Sequence, residues 1–174
     1  GKKAEEFKLK SINNKLISLD DIRGDKATLI MFICNHCPYV KAIIKDLAKD
    51  CNDLKKEGIN SVAIMSNDTK NYPEDSFENM IKFAKSNNFG ETNYLIDETQ
   101  ETAKKYGAVC TPDFFGYNKD LELQYRGRYK ELKDLKPINN EDSDLKIAMK
   151  MVGQTQKGPD EQIPSMGCNI KWFN

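Results

Sequence analysis

The chain has 174 residues, of which 39% are hydrophobic and 31% charged, a composition that suits one globular domain with one core. Lys+Arg and Asp+Glu both total 27, leaving no net charge, and this argues against nucleic acid or an anionic membrane as the main partner, since either selects a basic face. The longest apolar run, Ala27–Ile33, is too short to span a bilayer; Gly1-Lys2-Lys3 leads into charged residues rather than an apolar segment, so no signal peptide is read and a cytoplasmic location is expected, a processed exported form being the alternative.

In chain order, Phe7-Lys8-Leu9-Lys10 alternates, Asn13-Asn14 turns, and Leu16-Ile17 resumes, which predicts a short hairpin. Ser18-Leu19-Asp20-Asp21 resembles a capping box with Asp in the acidic position, and Gly24 closes that turn. Ala27–Ile33 is continuous and rich in strand formers, as expected of a strand buried on both faces. From Pro38 the period changes: Val40, Ile43, Ile44, Leu47, Cys51 and Leu54 form one stripe of a helix that ends at Gly58. A strand at Ser61–Met65 precedes a polar loop with Pro73. A helix follows, marked by Phe77, Met80, Ile81 and Ala84, then a strand at Asn93–Ile96. Glu101–Tyr106 reads as a short helix closed by Gly107, and Phe114–Tyr117 with Leu121–Tyr125 as an antiparallel hairpin. A last helix spans about 143–152, with Leu145, Ile147, Ala148, Met149 and Val152 as its apolar residues. The Gly/Gln/Pro-rich segment 153–165 then leads to a tail, Gly167–Trp172. Strands and helices that alternate and then give way to a hairpin predict an α/β fold with a mixed central sheet and helices on both faces. The domain is taken as 1–174, with 1–25 as an N-terminal hairpin extension and 153–174 as a C-terminal loop and tail.

Cysteines stand at 34, 37, 51, 110 and 168. Cys34-Asn35-His36-Cys37 lies where the buried strand meets the first turn of an amphipathic helix. Free N–H groups and the helix dipole there favour a thiolate. Cys34, at the cap, is expected to be the more exposed thiol and to attack a substrate disulfide; Cys37, one turn on, resolves the mixed disulfide. The competing reading of the pair is half a zinc site, but no second Cys-x-x-Cys or His pair supplies the other ligands, so no metal is expected. His36 is either a solvated turn residue or a group that tunes the pair, since a nearby imidazolium stabilises thiolate. Cys51, on the apolar stripe, is read as a core thiol, and Trp172 as the residue that pins the tail.

Together the strand, the Cys-x-x-Cys-Pro helix start and the later Thr111-Pro112 resemble the thioredoxin superfamily. The resemblance implies a thioredoxin fold, a cis Pro112 facing the two cysteines, and a Thr111 backbone that pairs with an extended substrate segment by strand addition. The Phe-x-Leu hairpin and the Ser-Leu-x-Asp-Ile-x-Gly turn are similar to the redoxin branch. Cys-Asn-His-Cys-Pro-Tyr-Val-Lys, Cys-Thr-Pro-Asp-Phe-Phe, Tyr-Arg-Gly-Arg and Gly-Cys-Asn-Ile-Lys-Trp resemble a peroxiredoxin-like, thioredoxin-type family. In peroxiredoxins Cys37 would match the peroxidatic cysteine, but Cys34 takes the place of a peroxide-holding Thr. Arg126 and Arg128 are candidates for the activating Arg by sequence proximity alone.

These readings imply a thiol–disulfide oxidoreductase with Cys34 and Cys37 catalytic, His36 tuning the potential above that of thioredoxin, and Thr111 and Pro112 positioning substrate. Cys110 and Cys168 are packed thiols or, if Cys168 on the tail reaches Cys110 near the redox pair, a second disulfide or relay. No cofactor is needed beyond the redox-active disulfide, and the expected partners are protein or small-molecule disulfides and an electron-donating dithiol. The alternatives are a thiol peroxidase using Cys37 and a non-catalytic binding module that keeps the groove beside Pro112.

Overall fold

The strand that carries the cysteine pair is β3 (Ala27–Phe32), all six residues of which are buried. In a computed structural model describing residues 1–174, β3 pairs in parallel with β4 (Ile59–Met65) and antiparallel with β7 (Asp113–Asn118). Both of its hydrogen-bonding edges are therefore occupied. Its side chains alternate between two cores: Leu29, Met31 and Ile33 enter one, Ile30 and Phe32 the other. A continuous apolar run is what such two-sided burial demands.

The central sheet has seven strands. On one side of β4 lie β5 (Asn93–Ile96), β1 (Lys8–Ser11) and β2 (Leu16–Ser18); beyond β7 lies β8 (Leu123–Tyr125), giving the order β2-β1-β5-β4-β3-β7-β8. Strands β3, β4 and β5 are parallel; β1, β7 and β8 run against their neighbours. One face is covered by α3 (Ile44–Lys55), α4 (Phe77–Ser86) and α6 (Asp144–Thr155), the other by α1 (Leu19–Ile22) and α5 (Glu101–Tyr106). The N-terminal hairpin is built into this sheet, because Lys10 and Ser11 pair with Ile96 and Leu95. The capping box of α1 is complete: Ser18 Oγ accepts from Asp21 N–H (3.2 Å), and Asp21 Oδ2 accepts from Ser18 N–H (2.8 Å). No helix is long and apolar enough to cross a membrane.

Several elements depart from the sequence reading. The helix after Cys37 is two helices, α2 (Pro38–Lys41) and α3, because Ile43 N–H bonds to Val40 O, a three-residue step, and the ladder breaks there. Three β-branched residues in five positions, Val40, Ile43 and Ile44, weaken continuous helix at this point. Their stripe is nonetheless buried throughout. Ile81 and Ile147 are exposed instead of joining their helices' buried faces; Ile147 lies two residues from Leu145 and so falls on the opposite side of α6. Four short strands escaped periodicity altogether: β6 (Cys110–Thr111), β9 (Leu132–Lys133), β10 (Lys136–Pro137) and β11 (Cys168–Asn169). The last of these turns the tail into a strand, paired antiparallel with β6.

Because Ile30 is fully buried between β4 and β7, Ile30→Ala is expected to cost about 2–5 kcal/mol, through lost transfer energy and the cavity left behind. Urea denaturation measures it; a loss under about 0.5 kcal/mol would mean that β3 is not the packed centre of the sheet.

Candidate active site

The ladder continues one residue past β3, with Ile33 N–H bonded to Ile64 O at 3.0 Å. The chain then leaves the sheet over residues 34–37. Asn35 holds this bend: its N–H donates to Asp75 Oδ1 (2.8 Å), its amide nitrogen to Glu74 O (3.2 Å), and its side-chain oxygen accepts from the buried Tyr94 hydroxyl (2.8 Å). The cap expected at Cys34 falls on Cys37, the N-cap of α2, because Pro38 is the first helical residue, where a missing N–H costs nothing.

The two thiols converge on β6. Cys34 Sγ lies 3.5 Å from Thr111 Oγ1, and Cys37 Sγ lies 3.3 Å from the Thr111 carbonyl oxygen. The Thr111–Pro112 peptide is cis. A third sulfur is present: Cys168 Sγ stands 2.8 Å from Cys37 Sγ. The expectation that Cys34 would be the exposed thiol is corrected, since Cys34 is 1% and Cys37 0% exposed. Cys34 lies two residues beyond the fully buried β3, with its Sγ against Thr111, while the tail lies over Cys37.

Charge is distributed unequally over these sulfurs. A hydrogen bond from the Cys34 thiol, opposed by burial and supported by the Cys168 thiol and the Val40 and Cys168 amides, holds Cys37 down at about 4. The hydrogen bond to Cys37, burial and the nearby Asp75 carboxylate push Cys34 well above the usual thiol range. These surroundings favour ionisation at Cys37 over Cys34. Cys168 is raised to about 11 by burial and by its bond to Cys37. Burial raises both Cys110 and Cys51 to about 12.

His36 stacks on Tyr72 with the rings 5° from parallel and 6.1 Å apart. Its Nδ1 lies 2.7 Å from Asp75 Oδ2, off the line of an aligned hydrogen bond. Asp75 is fully buried and also accepts from Asn67 Nδ2 at 3.0 Å. Sequence reasoning missed it, because a lone Asp in a polar loop after Pro73 carries no periodic signal. Cys34, His36 and Asp75 bring one potential metal ligand each within 4.8 Å of one another. Two ligands of a tetrahedral zinc, each about 2.0–2.1 Å from the metal, stand roughly 3.3 Å apart. The 2.7 Å separation of His36 and Asp75 is shorter, and both carboxylate oxygens already accept N–H donors.

The accessory thiols separate. Cys168 faces Thr111 across the β6–β11 pair and Asn169 faces Cys110. Directly opposed residues share a face and neighbours alternate, so Cys168 meets Cys37 while Cys110 turns away, its Sγ 3.4 Å from Pro112 O. The tail is anchored by buried Ile170 and by its backbone: Lys171 N–H donates to Asn67 Oδ1 (2.9 Å) and Asp68 N–H to Lys171 O (2.8 Å). Trp172, expected to be the anchor, is 37% exposed; its indole instead lies under Lys104, at 5.7 Å. Arg126 pairs with buried Asp113 (3.1 Å), and Arg128 with Asp144 (2.6 Å). A groove of about 460 Å³ opens beside Pro112, with Tyr39, Ile43, Leu132, Leu135, Ile163 and Met166 among its walls.

A family model described as the AhpC/TSA family matches residues 1–129. A crystal structure of an uncharacterized conserved protein from Geobacillus kaustophilus is 42% identical, with a TM-score of 0.94 over 99% of this chain and 92% of that one. A hypothetical protein from Sinorhizobium meliloti 1021 is 38% identical, with a TM-score of 0.91 over 99% and 94%. A thiol:disulfide interchange protein of the thioredoxin family from Chlorobium tepidum TLS is 18% identical, with a TM-score of 0.65 over 87% and 95%, which is a likeness of fold. The search of curated proteins finds no match. The mixed sheet with helices on both faces is the thioredoxin fold.

A lowered pKa favours the ionised form, so in the reduced protein the ultraviolet thiolate absorbance of Cys37 should persist through neutral pH and vanish only as pH falls through about 4. Cys34→Ala removes the main donor and should raise that midpoint. A single thiolate transition above pH about 8 in the unmodified protein would refute this charge distribution.

Proposed function

The chain belongs to the AhpC/TSA family, whose thioredoxin-like members work through cysteine redox chemistry without a cofactor, and from that premise we propose that it exchanges disulfides through Cys34 and Cys37. The observation that carries this reading is the pair itself. Both sulfurs come to Thr111 where β3 hands over to α2, Cys34 Sγ at 3.5 Å from its hydroxyl and Cys37 Sγ at 3.3 Å from its carbonyl oxygen, in surroundings that favour ionisation of Cys37 over Cys34. In the reduced protein the Cys37 thiolate attacks one sulfur of a substrate disulfide and expels the other half as a thiolate. Cys34 then gives up its proton and attacks Cys37 Sγ in the mixed disulfide; the Cys34–Cys37 disulfide forms and the second half of the substrate leaves reduced. The order of attack is the reverse of that expected from sequence, because the stabilising donors gather on Cys37.

The Thr111 edge expected to receive an extended substrate is paired with β11 of the tail, so a substrate strand would add there only by displacing the tail; the apolar groove beside Pro112 suits a protein segment better than a small polar disulfide. His36, 23% exposed at its side chain, acts on the pair through Asp75 and Cys34 rather than by touching Cys37. The partners in this reading are disulfide substrates and a dithiol electron donor.

A peroxidase reading draws on the family and on the low pKa of Cys37. It is weaker here, because Cys34 stands in place of a hydroxyl donor and the guanidinium groups of Arg126 and Arg128 are engaged by Asp113 and Asp144. Peroxide reduction needs donors aimed at the breaking O–O bond.

Reduction of insulin or glutathione disulfide should fall to the uncatalysed rate in Cys37→Ser. The Cys34–Cys37 potential should lie above about −270 mV, since stabilising the thiolate makes the disulfide more oxidising. Peroxide consumption that survives Cys34→Ser and exceeds disulfide exchange would replace this reading with the peroxidase.

A further inference from the structure

The edge of β6 is occupied by the protein's own C-terminal tail. Cys168 and Asn169 pair with Thr111 and Cys110, Ile170 N–H bonds to Val109 O at 3.1 Å, and Ser165 Oγ donates to Pro112 O at 2.7 Å. Gly167 passes so close to the Thr111–Pro112 peptide that a Cβ there would stand 2.1 Å from Thr111 O. Only a residue without a side chain lets the two backbones approach this closely. The tail thus lies where an added substrate strand would lie, and the residue opposite Thr111 is a cysteine.

From this juxtaposition we propose that Cys168 is a third redox thiol: the tail is an internal substrate strand that presents Cys168 to Cys37, and disulfide passes between the buried pair and the protein surface through a Cys37–Cys168 bond. The proposal rests on the exchange reading above and adds the path by which the pair communicates with a partner. Cys34 and Cys37 are buried whereas Cys168 is partly exposed, so a protein dithiol meets Cys168 first.

The steps balance. Cys168 loses its proton to solvent and its thiolate attacks Cys37 Sγ of the Cys34–Cys37 disulfide. The Cys37–Cys168 bond forms as the Cys34–Cys37 bond breaks, and the electron pair leaves on Cys34, which takes up a proton. One disulfide has been exchanged for another, with no net oxidation. A partner thiolate then attacks Cys168 Sγ and Cys37 departs as a thiolate, a good leaving group because it is stabilised where it stands. The partner's second thiol attacks its own half of that mixed disulfide, releasing Cys168 as a thiol and the partner as a disulfide. The two electrons lost by the partner reside on Cys34 and Cys37. The sequence runs backwards for reduction of a partner.

Disulfide mapping and one rate test this. With glutathione disulfide as oxidant, Cys34→Ser should form a Cys37–Cys168 link, recovered as a cross-linked peptide pair. Gly167→Ala added to that variant, which displaces the tail backbone without touching a sulfur, should cut the yield at least about tenfold. Oxidised Cys168→Ser should keep its Cys34–Cys37 disulfide yet oxidise reduced thioredoxin at least about tenfold more slowly than the unmodified chain. No Cys37–Cys168 link in Cys34→Ser, or an unchanged or faster rate in Cys168→Ser, overturns the relay and leaves the tail as a cover. Absence of a Cys34–Cys37 disulfide in oxidised Cys168→Ser would instead overturn the exchange reading itself.

Discussion

One buried sulfur sets the terms for the rest of the molecule. Cys37 sits at 0% exposure, where burial alone would keep a thiol protonated. The polar groups of Cys34, Cys168 and the nearby backbone oppose that effect and lower the Cys37 pKa. Those groups come from just beyond β3, the first turn of α2 and the C-terminal tail, segments far apart in the chain. The seven-stranded sheet is what makes their meeting possible, since β3 is fixed on both edges and cannot shift its register without moving alternate side chains to the wrong core.

A polar network supports the pair from behind. Tyr94 reaches Asn35, Asn35 reaches Asp75, Asp75 reaches Asn67, and Asn67 accepts from the backbone of Lys171 in the tail. The intervening residues of the Cys-x-x-Cys segment are therefore structural members as well as spacers. A buried carboxylate in such a network is stable only because its oxygens are satisfied. Here that satisfaction also ties the bend that holds Cys34 to the strand that holds Cys168. The negative charge of Asp75 discourages ionisation of Cys34, so the network and the thiolate act in one sense, keeping a proton on one sulfur and off the other.

The tail gives the site its closed form. The family model matches residues 1–129, and the segment that covers the sulfurs lies beyond them. The 42%- and 38%-identical structures span 99% of the chain, this segment included. Strand pairing supplies backbone hydrogen bonds that are indifferent to side chains, which lets Gly167, Cys168 and Asn169 pack against β6 with little apolar surface of their own. Ile170 provides the apolar contact that holds the strand in place.

Much of this was legible in the chain itself. The run Ala27–Ile33, the stripe from Val40 to Leu54, and the Cys-x-x-Cys-Pro and Thr-Pro segments are local patterns whose period or chemistry follows from nearest neighbours, and they were enough for the fold and the cysteine pair. The break at Ile43, the outward turn of Ile147, the burial of Asp75, the pairing of Cys168 with Cys37 and the closure of both thiols were decided only in three dimensions. Two-residue strands have no period to read, a single Asp has no pattern, and the proton's choice between two sulfurs depends on donors brought from distant segments. Local patterning specifies which elements form; the identity of the thiolate is a property of what the sheet and the tail place around it.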